Sequence, residues 1–253
     1  MFSGPREKWN VNKITANTQT GSTVRVNQPT RFITMGISKV SEHEACVGAL
    51  RPDGSWVRPE TPSMEEIKAE NSAFVYFRWA SAALGQSIEN NPRPEDHHML
   101  HAPFGAEKLS GAAQLDFLRK HQDPGAEAAF AGERSLGLIR ATIRRLYHKQ
   151  STGGRTFLRT EFTDAAGETY DWIITEVRLP EEIAPYLVDG RITPDLGEKL
   201  HQIFNSAETY FTIALTKPNN RFPGKFRGCH PVIIGIHTVP DYKPQLAANS
   251  RRG

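Results

Sequence analysis

The sequence is poor in cysteine and in long apolar runs, and these two absences exclude several classes of protein. It has only two cysteines, Cys46 and Cys229, far apart in 253 residues. A disulfide scaffold or a Cys-x-x-Cys zinc site therefore has no framework, and we expect two buried thiols in a reducing cytoplasm. No apolar run approaches the roughly 20 residues of a membrane helix. The segment after Met1 also lacks the apolar stretch of a secretory signal, so no membrane association is predicted.

The motifs of common enzyme classes are missing as well. The sequence contains no Gly-x-x-x-x-Gly-Lys-Ser/Thr, no Gly-x-Gly-x-x-Gly after a predicted strand and no Gly-x-Ser-x-Gly. Glu95 and Asp96 precede three histidines (His97, His98 and His101), but no second cluster of cysteine or histidine stands at zinc spacing. We therefore predict no catalytic residue, no cofactor and no metal site. A metal-dependent hydrolase built on this cluster is an alternative.

Positive charge is plentiful but unevenly distributed. Overall, 31 Lys and Arg residues exceed 28 Asp and Glu residues by only three. Residues 134–159 nevertheless hold seven basic residues and no acid, and residues 217–253 hold seven against one acid. Between residues 60 and 96 the sign reverses, with three basic and seven acidic residues. This asymmetry indicates a polyanionic partner. Random clustering on a solvated surface is the alternative.

Short strands joined by tight turns dominate the predicted secondary structure. Pro-Asp-Gly-Ser at residues 52–55 is a strong turn signal, and Thr193-Pro194 is typical of a helix start. We predict a mostly β fold of two OB-like small β-barrels with a few short helices. The predicted parts are a flexible arm (1–30), a first barrel (31–105), a helical connector (106–133), a second barrel (134–242) and a flexible tail (243–253).

Two further segments have local patterns that predict their structure. Residues 90–103 carry three prolines and three histidines and are predicted to form a loop. Residues 136–148 alternate apolar and basic side chains, which fits either a strand or a basic helix, and the flanking glycines favour a strand. In a regular strand Arg145 and Tyr147 share one side, whereas Arg140 and Arg144 lie on the other.

Several segments resemble a known family. In the first half they are ITMGIS at 33–38, CVGA at 46–49 and GSWVRP at 54–59. In the second half they are SLGLI at 135–139, GETYDWIIT at 167–175, and the strands around 210–216 and 229–237. Over roughly residues 32–242 the chain resembles the dual OB-domain-containing family, although His97 departs from an aromatic position of the family. The resemblance implies two OB folds and nucleic-acid binding, or an accessory role beside nucleic-acid enzymes, including anti-phage defence complexes.

An OB fold binds nucleic acid on the face of its second and third strands and in the adjoining loops. Single strands need cations for phosphates and aromatic rings on which bases stack. In the first barrel we therefore expect Arg51, Trp56 and Arg58 to bind nucleic acid. The alternative is that Trp56 fills the core while Arg58 fixes a nearby carboxylate.

In the second half, the binding residues are expected along the first two strands and in the basic loop at 217–228. The strand candidates are Arg145, Tyr147, Lys149, Arg155 and Arg159. The loop candidates are Lys217, Arg221, Lys225 and Arg227, interleaved with Phe222 and Phe226, which are predicted to bind a protein partner or to pack internally. We expect these cations to form one continuous groove. The predicted function is non-catalytic binding of nucleic acid, with single strands favoured, or an adaptor role that seats a partner subunit.

Overall fold

The structure is a computed structural model that describes residues 29–59, 62–87, 93–100 and 104–249. Predictions for residues 1–28, for His101 and for residues 250–253 lie outside this range. Within it, the prediction of a mostly β fold is confirmed, because strands in two separate sheets form most of the regular structure.

The second half of the chain forms a closed five-stranded barrel. Its strands are β8 (Leu136–Gln150), β9 (Thr156–Asp164), β10 (Thr169–Ile174), β11 (Glu208–Leu215) and β12 (Pro231–Val239). Around the barrel they follow the order β10-β12-β11-β8-β9. Only β10 and β12 pair in parallel. Leu158, Thr160 and Phe162 alternate with partly exposed neighbours on β9, because successive strand side chains point to opposite sides.

The first half forms a seven-stranded sheet. Its strands are β1 (Thr30–Lys39), β2 (Ala45–Leu50), β3 (Trp56–Pro59), β4 (Arg78–Ala82), β5 (Leu84–Ser87), β6 (Asp96–Met99) and β7 (Phe104–Lys108). Their order is β5-β6-β3-β2-β1-β4-β7. The predicted turn at 52–55 joins β2 to β3, with Gly54 at a φ of +85°.

Short helices connect and cover the two sheets. They are α1 (Met64–Lys68), α2 (Gly111–His121), α3 (Ala126–Ala129), α4 (Arg178–Ile183), a 3₁₀ turn (Ala184–Tyr186), α5 (Pro194–Asn205) and α6 (Tyr242–Asn249). The predicted helix start at Thr193 is confirmed, since its hydroxyl accepts a hydrogen bond from the Leu196 amide. In the described residues the longest helices have 11 and 12 residues, and none has the length and hydropathy of a membrane crossing.

Two local predictions are wrong. Part of the predicted loop at 90–103 is the strand β6, which pairs in parallel with β3 at Arg58 and Asp96. The predicted tail contains α6, because Tyr242 and Leu246 are buried in the barrel core and the Tyr242 ring lies 5.1 Å from that of Phe204. The partner of α6 is distant in the chain, whereas β6 lies between the nearby strand β5 and the distant strand β3.

The two halves pack closely where β1 meets β12. A Cβ atom on Gly235 would lie only 2.2 Å from the carbonyl oxygen of Met35, and one on Gly36 would lie 2.6 Å from the Ile234 side chain. Glycine at these positions therefore permits the main chains to approach. The Thr212 hydroxyl adds a hydrogen bond of 2.6 Å to the Met35 carbonyl. Residues of both halves share one core cluster.

Candidate nucleic-acid interface

The outer side of β8, β9 and β10 gathers several of the predicted binding residues. Strand register sets Tyr147 opposite Arg159, and two residues further along it sets Lys149 opposite Phe157. Leu146, Leu158 and Thr160 alternate with these residues and are buried, so Tyr147, Lys149 and Arg159 point outward. We call this surface the basic strand face. Its members are Arg144, Arg145, Tyr147, Lys149, Arg155, Phe157 and Arg159.

A β-bulge places two consecutive arginines on this face. The register of β8 against β9 shifts between Ile143 and Arg145, so Arg144 is the extra residue. Both Arg144 and Arg145 are exposed. The Arg144 Nε atom donates a hydrogen bond of 2.9 Å to Thr163 on the outer side of β9. The expectation that Arg144 lies on the side opposite Arg145 is therefore wrong, because it assumed a strand without a bulge.

Two aromatic rings lie among these cations. The Arg145 guanidinium carbon is 4.0 Å from the centroid of the Tyr147 ring, and that of Arg155 is 5.7 Å from the Phe157 ring. Both rings are partly exposed. Such cation–π pairs hold a guanidinium against a ring. The face thus combines phosphate-binding groups with surfaces on which bases can stack.

Asp171 on β10 orients two members of the face. Its carboxylate accepts hydrogen bonds from the Tyr147 hydroxyl at 2.8 Å and from Arg159 Nε at 2.9 Å. Burial acts to raise the pKa of Asp171, but the hydrogen bonds from Arg159 and Tyr147 outweigh it and hold that pKa below its ordinary value. Asp171 therefore stays ionised at neutral pH and keeps both side chains in place.

The face keeps a positive balance after its acids are counted. Its five cations face two carboxylates, those of Asp171 and Glu161, which leaves a formal charge of +3. Glu161 forms an ion pair of 3.4 Å with Arg145, whose side chain is still 57% exposed. Exposed pairs of this kind contribute little stability, so Arg145 can exchange its partner for a phosphate.

The basic loop at 217–228 divides into two parts. In its second part only the Phe226 ring packs internally, since it is 9% exposed and lies 4.9 Å from the Phe130 ring, whereas the side chains of Lys225 and Arg227 are exposed. Lys225 pairs with Glu127, and Arg227 donates hydrogen bonds to two main-chain carbonyls. The prediction that Phe226 binds a partner is wrong, because the ring closes the end of the barrel core.

The first part of the loop stays exposed. Lys217 and Arg221 are exposed, and Phe222 is 63% exposed. The Asn219 side chain accepts hydrogen bonds from the amides of Arg221 and Phe222, both at 3.0 Å. A ring nitrogen of His230 lies 2.8 Å from the Phe222 carbonyl oxygen. These contacts fix the main chain that presents the Phe222 ring.

The predicted binding residues of the first half are not on an open surface. Trp56 is 6% exposed and Arg58 is 4% exposed, and Arg58 forms an ion pair of 2.5 Å with Asp96. The prediction of an exposed stacking pair is therefore wrong, and the stated alternative describes both residues. Arg51 is partly buried beside Ser55 and His97. Of the candidates expected in a single groove, the strand pairing brings together those on β8 and β9.

The acidic and histidine-rich segment does not form a metal centre in the described residues, which contain no group of three or more potential metal-binding side chains. Glu95 accepts hydrogen bonds from the amide and hydroxyl of Ser135 at 2.7 and 2.8 Å, so it joins the two halves. Both cysteines are free. Cys229 is buried as predicted, whereas Cys46 is partly exposed, because it lines a cleft between the halves.

Sequence reasoning missed three residues of this surface. Arg144 was assigned to the wrong side, and the only signal of the bulge was two adjacent arginines in an alternating strand. Phe157 stands between Arg155 and Arg159 and could have been added by alternation alone. Asp171 is an acid on the outward side of a hydrophobic strand, which is a weak signal without the positions of Tyr147 and Arg159.

Comparison with known proteins adds no relative. No model of a protein family matches the chain, and no curated protein matches it. The resemblance to the dual OB-domain-containing family stays a prediction.

Proposed function

We propose that this protein binds single-stranded nucleic acid on the basic strand face, without catalysing a reaction. The observation that carries the proposal is the arrangement of five cations and two partly exposed aromatic rings on one contiguous strand surface. Cations neutralise phosphates irrespective of sequence, and rings stack on any base. The interaction is therefore sensitive to salt and tolerant of sequence.

We also propose that each half is an OB fold. In the barrel, β8 pairs with β9 and β11, and a parallel pair joins the third and fifth strands, β10 and β12. The first half repeats this connectivity if β4 and β5, separated by Ala83 alone, are counted as one strand. In it β1 pairs with β2 and β4, and β3 is parallel to β6. A helical segment follows the third strand in both halves. The basic strand face includes the second strand of the barrel, where OB folds bind nucleic acid.

Fluorescence anisotropy with labelled single- and double-stranded oligonucleotides tests the proposal. The double variant Arg145→Glu/Lys149→Glu reverses two cations of the face. Its matched control, Lys120→Glu/Lys199→Glu, makes the same change in net charge at exposed positions on α2 and α5. We expect the first variant to lose most of its affinity for single strands and the control to keep it. Equal affinities of both variants would reject the assignment.

A second candidate function is that of an adaptor that seats a protein partner. The observation that favours it is the exposed Phe222 ring on a main chain fixed by Asn219 and His230. Aromatic side chains of this kind anchor protein interfaces. A partner that is retained after nuclease treatment and lost on Phe222→Ala, together with no oligonucleotide binding by the pure protein, would favour the adaptor.

A further inference from the structure

A cleft between the two halves lies close to the basic strand face. Its volume is about 560 Å³, and its walls come from β1, β2, β3 and β6 on one side and from β11 and β12 on the other. Val232 on β12 lines it and pairs with Ile173 on β10, which pairs with Arg159. Because adjacent strands are about 4.8 Å apart, the cleft begins only about 10 Å from Arg159.

The cleft is lined by cations in excess. Arg58, Arg93 and Lys217 line it with one carboxylate, that of Asp96, and the carboxylate of Glu95 acts on Arg58 from behind the wall, which leaves a formal charge of +1. Asp96 is shared, since it pairs with Arg58 at 2.5 Å and with Arg93 at 2.7 Å. The exposed Lys217 is the first residue of the basic loop.

Arg58 also has an unused donor. It is 4% exposed, and its Nε atom has no hydrogen-bond partner among the described residues. A buried donor without an acceptor costs stability. A ligand that supplies anionic oxygens to this wall of the cleft would offset that cost, because guanidinium groups bind phosphate well.

We propose that the cleft receives the phosphodiester backbone of a nucleic-acid strand that continues from the basic strand face across Ile173. This inference rests on the proposed function and extends it to the first half of the protein. The outer side of β1 and β2 is mostly covered, since Gly36 and Gly48 both lie against Ile234 of the second half. Farther along these strands, Ser38 and Cys46 line the cleft instead. The cleft is therefore the place where the first half can contact the same nucleic-acid strand.

Cys46 reports occupancy of the cleft in the natural protein. It is partly exposed there, whereas Cys229 is 2% exposed and serves as an internal reference. The rate of Cys46 alkylation by iodoacetamide is measured by mass spectrometry with saturating oligothymidylates of about 4 and about 16 nucleotides, the limits of the site size of one OB fold. We expect the longer oligothymidylate to slow the alkylation of Cys46 severalfold and the shorter one to leave its rate nearly unchanged.

The variant Lys217→Gln provides the second readout. For the longer oligonucleotide, its salt slope should fall in magnitude by about 0.7, the contribution of one lost phosphate contact to a single strand. The control Lys199→Gln should keep the natural slope.

The outcomes separate the two proposals. Binding that depends on Arg145 and Lys149, with unchanged Cys46 reactivity and an unchanged slope in Lys217→Gln, would overturn the cleft inference and leave the proposed function intact. Protection of Cys46 by inorganic phosphate as strong as that by the longer strand, at matched ionic strength, would replace the backbone site by a small-anion site. Failure to bind any oligonucleotide would overturn both proposals.

Discussion

His237 gives the contact between the two halves a predictable dependence on pH. The side chain is buried on β12, where its Nε2 atom lies 2.8 Å from the Met35 carbonyl oxygen and 3.0 Å from the Thr212 hydroxyl. The Nε2 atom is assigned as the protonated one because the carbonyl can only accept. The buried Nδ1 atom has no hydrogen-bond partner among the described residues. A second proton on this ring would therefore sit at Nδ1, which is buried and faces no acceptor among the described residues.

Burial is the main reason why the pKa of His237 falls to about 3, and the charge of Arg178 lowers it further, while the hydrogen bond to Met35 acts in the opposite direction. In the unfolded chain the same ring titrates near 6.5. Between these values the unfolded state binds one more proton than the folded state, so stability decreases as the pH falls. The full slope of about 1.4 kcal/mol per pH unit develops only below pH 6.5, so lowering the pH from 7 to 5 removes about 2 kcal/mol.

Urea unfolding at pH 7, 6 and 5 measures this loss, and His237→Gln serves as the comparison. The glutamine amide can donate to the Met35 carbonyl but does not titrate. Burial also lowers the pKa values of His121 and His148, but these groups act equally in both proteins and cancel in the comparison. We expect the free energy of unfolding of the variant to depend less on pH by about 2 kcal/mol over this range. Identical pH dependence in the two proteins would refute the reasoning.

Three further predictions concern the inter-half contact, the basic strand face and the buried ion pair. Gly235→Ala should lower the free energy of unfolding in urea by about 1–3 kcal/mol, because its Cβ atom meets the main chain of β1. The control Gly111→Ala has open space around its Cβ atom and should keep the natural stability. Equal stability of the two variants would contradict the contact between the halves. Tyr147→Ala should weaken single-strand binding in anisotropy titrations by about 1–3 kcal/mol, and Tyr147→Phe should weaken it much less because the ring is kept. An unchanged affinity of Tyr147→Ala would mean that no base stacks on this ring. Asp96→Asn should lower the free energy of unfolding by about 3–5 kcal/mol, because the buried Arg58 loses the carboxylate that lies 2.5 Å from it. An unchanged free energy of unfolding would mean that the pair is not desolvated.

Local sequence signals predicted the elements that local interactions determine. The alternation from Leu136 onward predicts the long strand β8, and Thr193 with Pro194 predicts the start of α5. Strand β6 was missed because the histidines and prolines in and around it suggest a loop, while its pairing with β5 and with β3, about 40 residues earlier, is a tertiary property. The helix α6 was missed for a similar reason, since its buried side chains pack against α5.

The candidate site could be predicted in composition but not in geometry. Arg145, Tyr147, Lys149 and Arg159 were named from residue type and alternation, and the strand pairing places them together. Exposure is a tertiary property, however, and the sequence does not reveal that Arg58 is buried against Asp96 and Ser135.

The salt dependence of single-strand binding tests the central claim most directly. Three cations of the basic strand face, those of Arg144, Lys149 and Arg155, form no ion pair within the described residues, while Arg145 and Arg159 must exchange a carboxylate for a phosphate. A plot of log K against log salt concentration for the natural protein and an oligothymidylate should therefore have a slope between about −2 and about −3.5 from the face alone, and a contact with Lys217 would add about −0.7. A slope near zero, or no binding at low salt, would contradict the account.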